Sequence, residues 1–336
     1  MIDRAHQMTE FIRISGWGNA DRVLVAGDAS NRRYERLTKP GGETLILMDA
    51  PPDKGEDVRP FIAIAEHLRQ IDLSAPAIMY RDQAQGFLLI EDLGDDLFKQ
   101  VIAHNPSLEL PLYEASIDVL TTLHAAPMPL LAPYDTTTMT TFAARAYEWY
   151  LFGLTGAKNT PEQAQFEQIM TDLLAPIEKI EPVLIQRDYH AENLLWLPER
   201  EGPARVGLLD FQDAMSGHPA YDLVSILQDA RRDVPLEIET KMIARYLTQN
   251  PQNEAEFLAS YAVLGVQRNM RIVGAFARLC IDLGKPAYID LIPRVWEFVE
   301  RNLAHPALAP VATHIRNTMP TPTAENLALL KSKCAV

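Results

Sequence analysis

Two neighbouring segments constrain this chain more than any others: Leu184-Ile-Gln-Arg-Asp-Tyr-His-Ala-Glu-Asn-Leu-Leu-Trp196 and Val206-Gly-Leu-Leu-Asp-Phe-Gln-Asp213. Together they carry a carboxylate at Asp188, an amide five residues on at Asn193, and a second carboxylate at Asp210 that ends an apolar run. The apolar triplets and quartets around them, 183–185, 194–197 and 206–209, read as short buried strands. Each polar residue is therefore expected at a strand end or in a loop, anchored by apolar neighbours. A carboxylate that orients a nucleophile, with hard oxygen donors that hold Mg2+ against nucleotide phosphates, is the equipment of phosphoryl transfer. The competing reading makes Asp188 and Asn193 turn caps and Asp210 a strand end in some other α/β protein.

The pattern resembles the catalytic loop and metal-binding aspartate of the aminoglycoside phosphotransferase and choline kinase-like family, relatives of protein kinases that phosphorylate small molecules. Its H-x-D-x-x-x-x-N motif corresponds to Gln186-Arg-Asp188 with Asn193, and its second motif to Asp210-Phe-Gln-Asp-Ala214. The resemblance implies a bilobal, kinase-like α+β fold, with a small antiparallel β-sheet N-lobe, a larger mainly helical C-lobe and ATP between them. It also implies that Asp188 is the catalytic base and that Asn193 and Asp210 hold Mg2+. Gln186 stands where the family has histidine, whose role there is to brace the loop. Asp222, in Gly217-His-Pro-Ala-Tyr-Asp222, has the position of the family's structural aspartate.

Composition narrows the partners. A chain of 336 residues can bury two lobes, and a net charge of −14 leaves no broad basic field for nucleic acid or an acidic membrane. No apolar run reaches the length of a membrane span, so a cytoplasmic protein with a small-molecule partner is expected. Cys280 and Cys334 have no motif spacing, which points to neither a disulfide scaffold nor a zinc site and fits a reducing compartment. Oligomeric state is not legible.

Residues 4–16 read as an amphipathic helix, and 22–26, 34–38 and 44–48 as strands of an antiparallel sheet. The resemblance lays the turn Gly27-Asp-Ala-Ser-Asn-Arg-Arg33 over the nucleotide phosphates, which makes Ser30, Asn31, Arg32 and Arg33 nucleotide-binding candidates. The family's lysine at the end of the third strand is replaced by Met48, so Arg32 or Arg33 is expected to supply the missing charge. The strings Asp28-Ala-Ser-Asn-Arg-Arg-Tyr34 and Met48-Asp-Ala-Pro-Pro52 further resemble the bacterial amino-sugar anomeric kinases, which phosphorylate C1 of N-acetylmuramate and N-acetylglucosamine. A helix over 57–71 offers Glu66 for the family's helix glutamate, or as a solvated side chain. Strands at 76–80 and 86–93 then lead to Glu91-Asp-Leu-Gly94, which resembles the family hinge. There Glu91 and Leu93 would meet the adenine through their main chain, and residues 1–93 and 94–336 would be the two lobes.

Beyond the hinge the chain is expected to be mainly helical, over 112–126, 142–153, 163–180, 223–230, 236–247, 253–283, 288–303 and 324–331. In the resembled family, helices before the catalytic loop shape the acceptor pocket. Tyr147, Glu148 and Trp149 are accordingly candidates for sugar contact, or else an aromatic stripe of the core. His190 would touch substrate or support its loop, and Asp213 would join the metal and substrate network or make a loop hydrogen bond. Arg268 and Arg271 would take an acceptor carboxylate or pair with acids of the chain. The expected activity is ATP- and Mg2+-dependent phosphorylation of a small-molecule hydroxyl, with an amino sugar at its anomeric position first. Aminoglycoside or choline-type kinases, and a non-catalytic nucleotide-binding protein, are the alternatives.

Overall fold

The computed structural model describes residues 3–26 and 31–335. The chain forms two compact units, one built from residues 1–126 and 191–214, the other from 127–190 and 215–336. The expected boundary at residue 93 thus lies inside the first unit, two residues past a strand that ends at Glu91.

The first unit begins with α1 (Arg4–Ile14), β1 (Asp21–Ala26), β2 (Arg33–Thr38), β3 (Thr44–Asp49), α2 (Arg59–Gln70), β4 (Ile78–Asp82) and β5 (Phe87–Glu91). Two helices follow, α3 (Phe98–His104) and α4 (Glu109–Ala125). The sheet is antiparallel throughout, in the order β1-β2-β3-β5-β4. Alternation places Leu37, Leu45, Leu47, Phe87 and Leu89 on one face, where α1 covers them with Met8, Phe11 and Ile12. Phe11 stacks on Phe87 at 5.5 Å between ring centroids.

The chain then builds α5 (Thr136–Arg145), α6 (Phe152–Thr155), α7 (Pro161–Leu174) and β6 (Val183–Ile185) of the second unit. It returns to the first for β7 (Leu194–Trp196) and β8 (Val206–Leu208), an antiparallel pair that opposes Leu194 to Leu208. Back in the second unit, β9 (Met215–Gly217) pairs with β6, and α8 (Ala220–Leu227), α9 (Leu236–Gln249), α10 (Glu254–Ile281), α11 (Ile292–Leu303), α12 (Ala309–Thr318) and α13 (Ala324–Lys331) complete the chain. The 28-residue α10 is the axis of this unit, started by the Asn253 side chain, which accepts from the Ala255 and Glu256 N–H groups. Among the described residues no helix is long and apolar enough to cross a membrane.

Three departures from the sequence reading have physical causes. The expected helix over 142–153 is α5 running into a π-helical stretch at Ala146–Leu151 and then α6, a widening that hydrophobic spacing does not reveal. The short helices α3 and α12 have no counterpart in the pattern reading. Cys280 and Cys334, expected unpaired, form a disulfide with their Cα atoms 4.7 Å apart. The partners are 54 residues apart in sequence and meet because the tail returns to α10, where the Ala335 N–H donates to the Cys280 carbonyl. Cysteine usage therefore no longer supports a reducing compartment.

Gly274 lets α5 press against α10, since a Cβ there would overlap the Arg145 carbonyl carbon and the Ala146 nitrogen. Backbone cannot withdraw as a flexible side chain can. Gly274→Ala is expected to cost about 1–3 kcal/mol of stability, read from urea unfolding midpoints. A midpoint equal to that of wild type would remove the close approach from the account.

Candidate active site

In the second unit, the segment leaving β6 turns sharply. The Asp188 N–H donates to the Gln186 carbonyl at 2.9 Å around Arg187, whose φ is +71°. Such a three-residue turn on a residue with a bulky side chain is strained, by roughly 1–3 kcal/mol. Asp222, in the first turn of α8 and 0% exposed, holds it in place. Its two carboxylate oxygens accept from the Gln186 N–H at 2.6 Å and the Arg187 N–H at 2.9 Å. Ser225 Oγ donates to the Arg187 carbonyl at 3.2 Å. Burial pushes the Asp222 carboxyl up to about 7, against the two N–H donors and the Arg268 guanidinium.

Asp188 stands at the exit of that turn. Arg271 Nη2 lies 3.9 Å from its Oδ1 and Arg271 Nη1 donates to the Tyr221 hydroxyl at 3.1 Å. Burial raises the Asp188 carboxyl, but Arg271, then Arg268, His190 and Arg187 outweigh it and hold it below the usual carboxylate range. Asp188 is therefore ionised at neutral pH. Arg268 is buried and donates from Nη2 to Ser225 Oγ at 2.8 Å, so it braces the loop from behind while adding positive charge. His190 is also buried, and burial lowers its imidazole while Asp229 and Asp188 pull the other way.

The acceptor candidates on the π-helical stretch separate. Tyr147 is a core residue, its ring 4.9 Å from Phe166 and its hydroxyl bonded to Thr318 at 2.8 Å. Glu148 is exposed and Trp149 half-buried, with the Arg278 guanidinium 5.7 Å from the Trp149 ring. The sequence reading missed Tyr134, Phe142 and Arg145. The Tyr134 ring lies 5.0 Å from that of Tyr221, and Phe142 has the Arg187, Arg271 and Arg145 guanidinium groups within 6 Å. Nothing in the local pattern of α5 or of the residues before it marks these three, because α10 supplies the arginine beside them.

In the first unit, Asn193 and Asp210 come together. The Leu209 N–H donates to the Asn193 carbonyl at 3.0 Å, and Asn193 Nδ2 lies 3.4 Å from Asp210 Oδ2. Asp210 has φ +57°, is exposed, and accepts from Gln212 Nε2 at 2.8 Å. The next residue, Phe211, is buried with its ring 5.0 Å from Phe61 of α2, which pins the backbone. A solvent-open carboxylate beside a side-chain carboxamide is a donor set that fits Mg2+, which binds through one or two carboxylates and completes its shell with phosphate and water. Among the described residues no larger cluster of metal-binding side chains occurs. Asp213 is exposed in the same unit.

The nucleotide candidates also separate. Ser30 lies outside the described residues. Arg32 Nε donates to Glu56 Oε2 at 2.7 Å, and the other Glu56 oxygen accepts from the Asn31 N–H at 3.1 Å. Burial works against the Arg32 charge, but Tyr34 and Glu56 raise its affinity for the proton. Tyr34 is in turn raised by burial and by the field of Asp210, which places Arg32, Tyr34 and Asp210 in one electrostatic neighbourhood. Arg33 is exposed and paired with Glu35 at 2.8 Å. Glu66 is paired with Arg81 at 3.0 Å, so the glutamate that meets the loop arginine is Glu56, from the segment before α2. The Glu91 side chain is committed to Arg200 and to the Ala77 N–H, consistent with a main-chain role only. Leu93 packs with Leu195 and Leu197.

The raised Asp222 carboxyl has a signed consequence for stability. Because it binds its proton more tightly in the fold than in the unfolded chain, the stability it contributes is whole below about pH 4 and is lost as pH rises through 7. Against Asp222→Asn, which does not titrate, wild type is expected to lose roughly 1.4 kcal/mol per pH unit across that window. Urea unfolding of both proteins at pH 5.5, 6.5 and 7.5 measures the difference. A gap independent of pH would mean that the carboxyl does not titrate there.

Residues 21–257 match the phosphotransferase enzyme family. An N-acetylmuramate/N-acetylglucosamine kinase of Caulobacter vibrioides is 38% identical, over 96% of this chain and 98% of its own length. The protein of the same name from Pseudomonas aeruginosa is 32% identical over 90% of each chain. A choline/ethanolamine kinase family protein from Mesorhizobium loti shares the fold at a TM-score of 0.60, covering 98% of this chain and 99% of its own at 11% identity. With that match over most of its length, and relatives aligned almost end to end, the chain belongs to the phosphotransferase enzyme family.

Proposed function

We propose that the protein transfers the γ-phosphoryl group of ATP to the anomeric hydroxyl of an N-acetylated amino sugar, N-acetylmuramate or N-acetylglucosamine. The observation that carries this reading is Asp188, held ionised at the exit of a strained turn with Arg271 3.9 Å away. Asp188 orients the acceptor hydroxyl and takes its proton as the new oxygen–phosphorus bond forms and ADP departs. Asn193 and Asp210 hold Mg2+, which neutralises charge on the phosphate oxygens when bound. Arg32, aimed by Glu56, takes the part of the lysine that Met48 displaces, and the main chain of Glu91 and Leu93 meets the adenine.

The charge around Asp188 argues against choline and aminoglycoside acceptors. Both are cations, and a like charge 5 Å from a guanidinium costs roughly 3 kcal/mol at an effective dielectric of 20. Three arginines, Arg187, Arg268 and Arg271, act on Asp188. A neutral or anionic acceptor suits them, as do the two sugars that the Caulobacter and Pseudomonas relatives are named for. The same excess of cations speaks against a silent nucleotide-binding protein, which has no use for an ionised carboxylate among arginines.

Phosphate transfer from Mg-ATP to N-acetylmuramate, N-acetylglucosamine, choline and kanamycin tests the reading, with 31P coupling to the anomeric proton locating the product. Turnover is expected on the amino sugars alone, and Asp188→Ala is expected to lower kcat about 10²- to 10⁴-fold. Wild-type turnover on choline or kanamycin in preference to the sugars would overturn the acceptor assignment. Arg32→Ala is expected to raise the KM for ATP about tenfold or more, while Arg33→Ala leaves it within about twofold. Equal effects of the two substitutions would remove Arg32 from the nucleotide site.

A further inference from the structure

The second unit gathers three guanidinium groups around one aromatic ring. The Phe142 ring, half-buried on α5, has the Arg145 guanidinium at 4.3 Å, Arg271 at 5.8 Å and Arg187 at 5.9 Å. Two of the three are engaged. Arg271 reaches Asp188 and the Tyr221 hydroxyl, and Arg187 also lies over Tyr134 at 5.8 Å. Arg145 differs, for among the described residues its guanidinium has the Phe142 ring as partner and no ion pair or hydrogen bond. Burial, Arg271 and Arg278 all work against its charge, and Glu148 only partly answers them.

This crowding is built into the packing. Gln267, Arg271, Gly274 and Arg278 recur at three and four residues along α10 and share one face. Gly274 is the point where that face admits the α5 backbone at Arg145, and the π-helical stretch begins at the next residue. Like charges this close, in a chain of net charge −14, call for a bound anion. Two anions are on offer in the proposed reaction: the transferred phosphoryl group and a carboxylate on the acceptor. Arg271, at Asp188, stands where the hydroxyl reacts. Arg145 shares an aromatic ring with Arg271, a separation that suits one sugar ring carrying a short acid arm, while Phe142 offers a face to the sugar carbons.

We propose that Arg145 binds the carboxylate of an acidic amino-sugar acceptor and so sets the preference for N-acetylmuramate over N-acetylglucosamine. The proposal rests on the amino-sugar kinase reading above and adds the residue that distinguishes the two acceptors. A guanidinium paired with a carboxylate in a half-buried site contributes enough to make discrimination measurable, on the order of 10- to 100-fold in affinity.

The test removes the charge from each side in turn. Wild type, Arg145→Met and Arg145→Lys are assayed with N-acetylmuramate, its methyl ester and N-acetylglucosamine, and acceptor binding is measured by calorimetry without nucleotide. Methionine keeps the apolar stem over Phe142, and lysine keeps the charge. Arg145→Met is expected to raise the KM for N-acetylmuramate about 10- to 100-fold, with a change of about threefold or less for N-acetylglucosamine and partial recovery in Arg145→Lys. Esterification should weaken the acceptor for wild type by the same factor and leave Arg145→Met indifferent. Equal losses on both sugars would assign Arg145 to phosphate or to the fold and overturn the proposal, as would an ester that binds wild type as well as the acid. Should wild type phosphorylate neither sugar, the kinase reading fails separately, and calorimetry still decides whether Arg145 distinguishes acid from ester.

Discussion

A buried carboxylate holding two backbone N–H groups is the interaction on which the candidate site depends. Asp222 reaches Gln186 and Arg187 from the start of α8, 36 and 35 residues away in sequence. Without it, Arg187 would have little reason to stay at φ +71°, a conformation that bulky residues avoid. The turn in turn decides where Asp188 leaves the strand. A second strained residue, Asp210 at φ +57°, is held by the Asn193 carbonyl through Leu209 and by the buried ring of Phe211. Of the four non-glycine residues with positive φ among those described, these two lie in the candidate machinery. Strain kept at such points, with hydrogen bonds nearby to hold it, is the kind of outlier that motivates a functional hypothesis.

Charge placement is the second constraint. The chain is acidic as a whole, yet α10 carries Arg268, Arg271 and Arg278 into the neighbourhood of Asp188 and Arg145. An ionised aspartate is easier to keep in a buried setting beside a guanidinium, and an anionic or neutral acceptor is easier to admit there than a cation. In the first unit the same economy of charge gives Arg32 to Glu56 and leaves Arg33 to Glu35 at the surface. Met48 lies opposite Tyr34 on β2, and Arg32, just before that strand, is the cation paired with Glu56.

Legibility varied with the range of the interaction. The antiparallel sheet was readable because Leu45, Leu47, Phe87 and Leu89 alternate, and period two survives in any context. The helices around α10 were readable from three and four spacing, though not the π-helical widening after Arg145, at the point where the backbone meets Gly274. Tyr147 looked like Trp149 on paper. Burial against Phe166 and a bond to Thr318, 171 residues on, made it core. Glu66 sat on the expected helix, but the face it occupies pairs it with Arg81, whereas Glu56 meets Arg32. The disulfide was invisible for the same reason, since spacing says nothing about where a tail returns.

By itself the sequence determined the family and the candidate chemistry: which side chains are of the types suited to orienting a hydroxyl, holding a hard cation and meeting phosphate, and in what order they follow one another. It could do so because these roles are set by functional groups and by short spacings within single loops. The tertiary structure decided which of two arginines is aimed, which carboxylate is held charged, and which aromatic ring gathers cations. Those outcomes depend on burial and on partners tens to hundreds of residues away, and free energies of that kind arise only when the chain has folded.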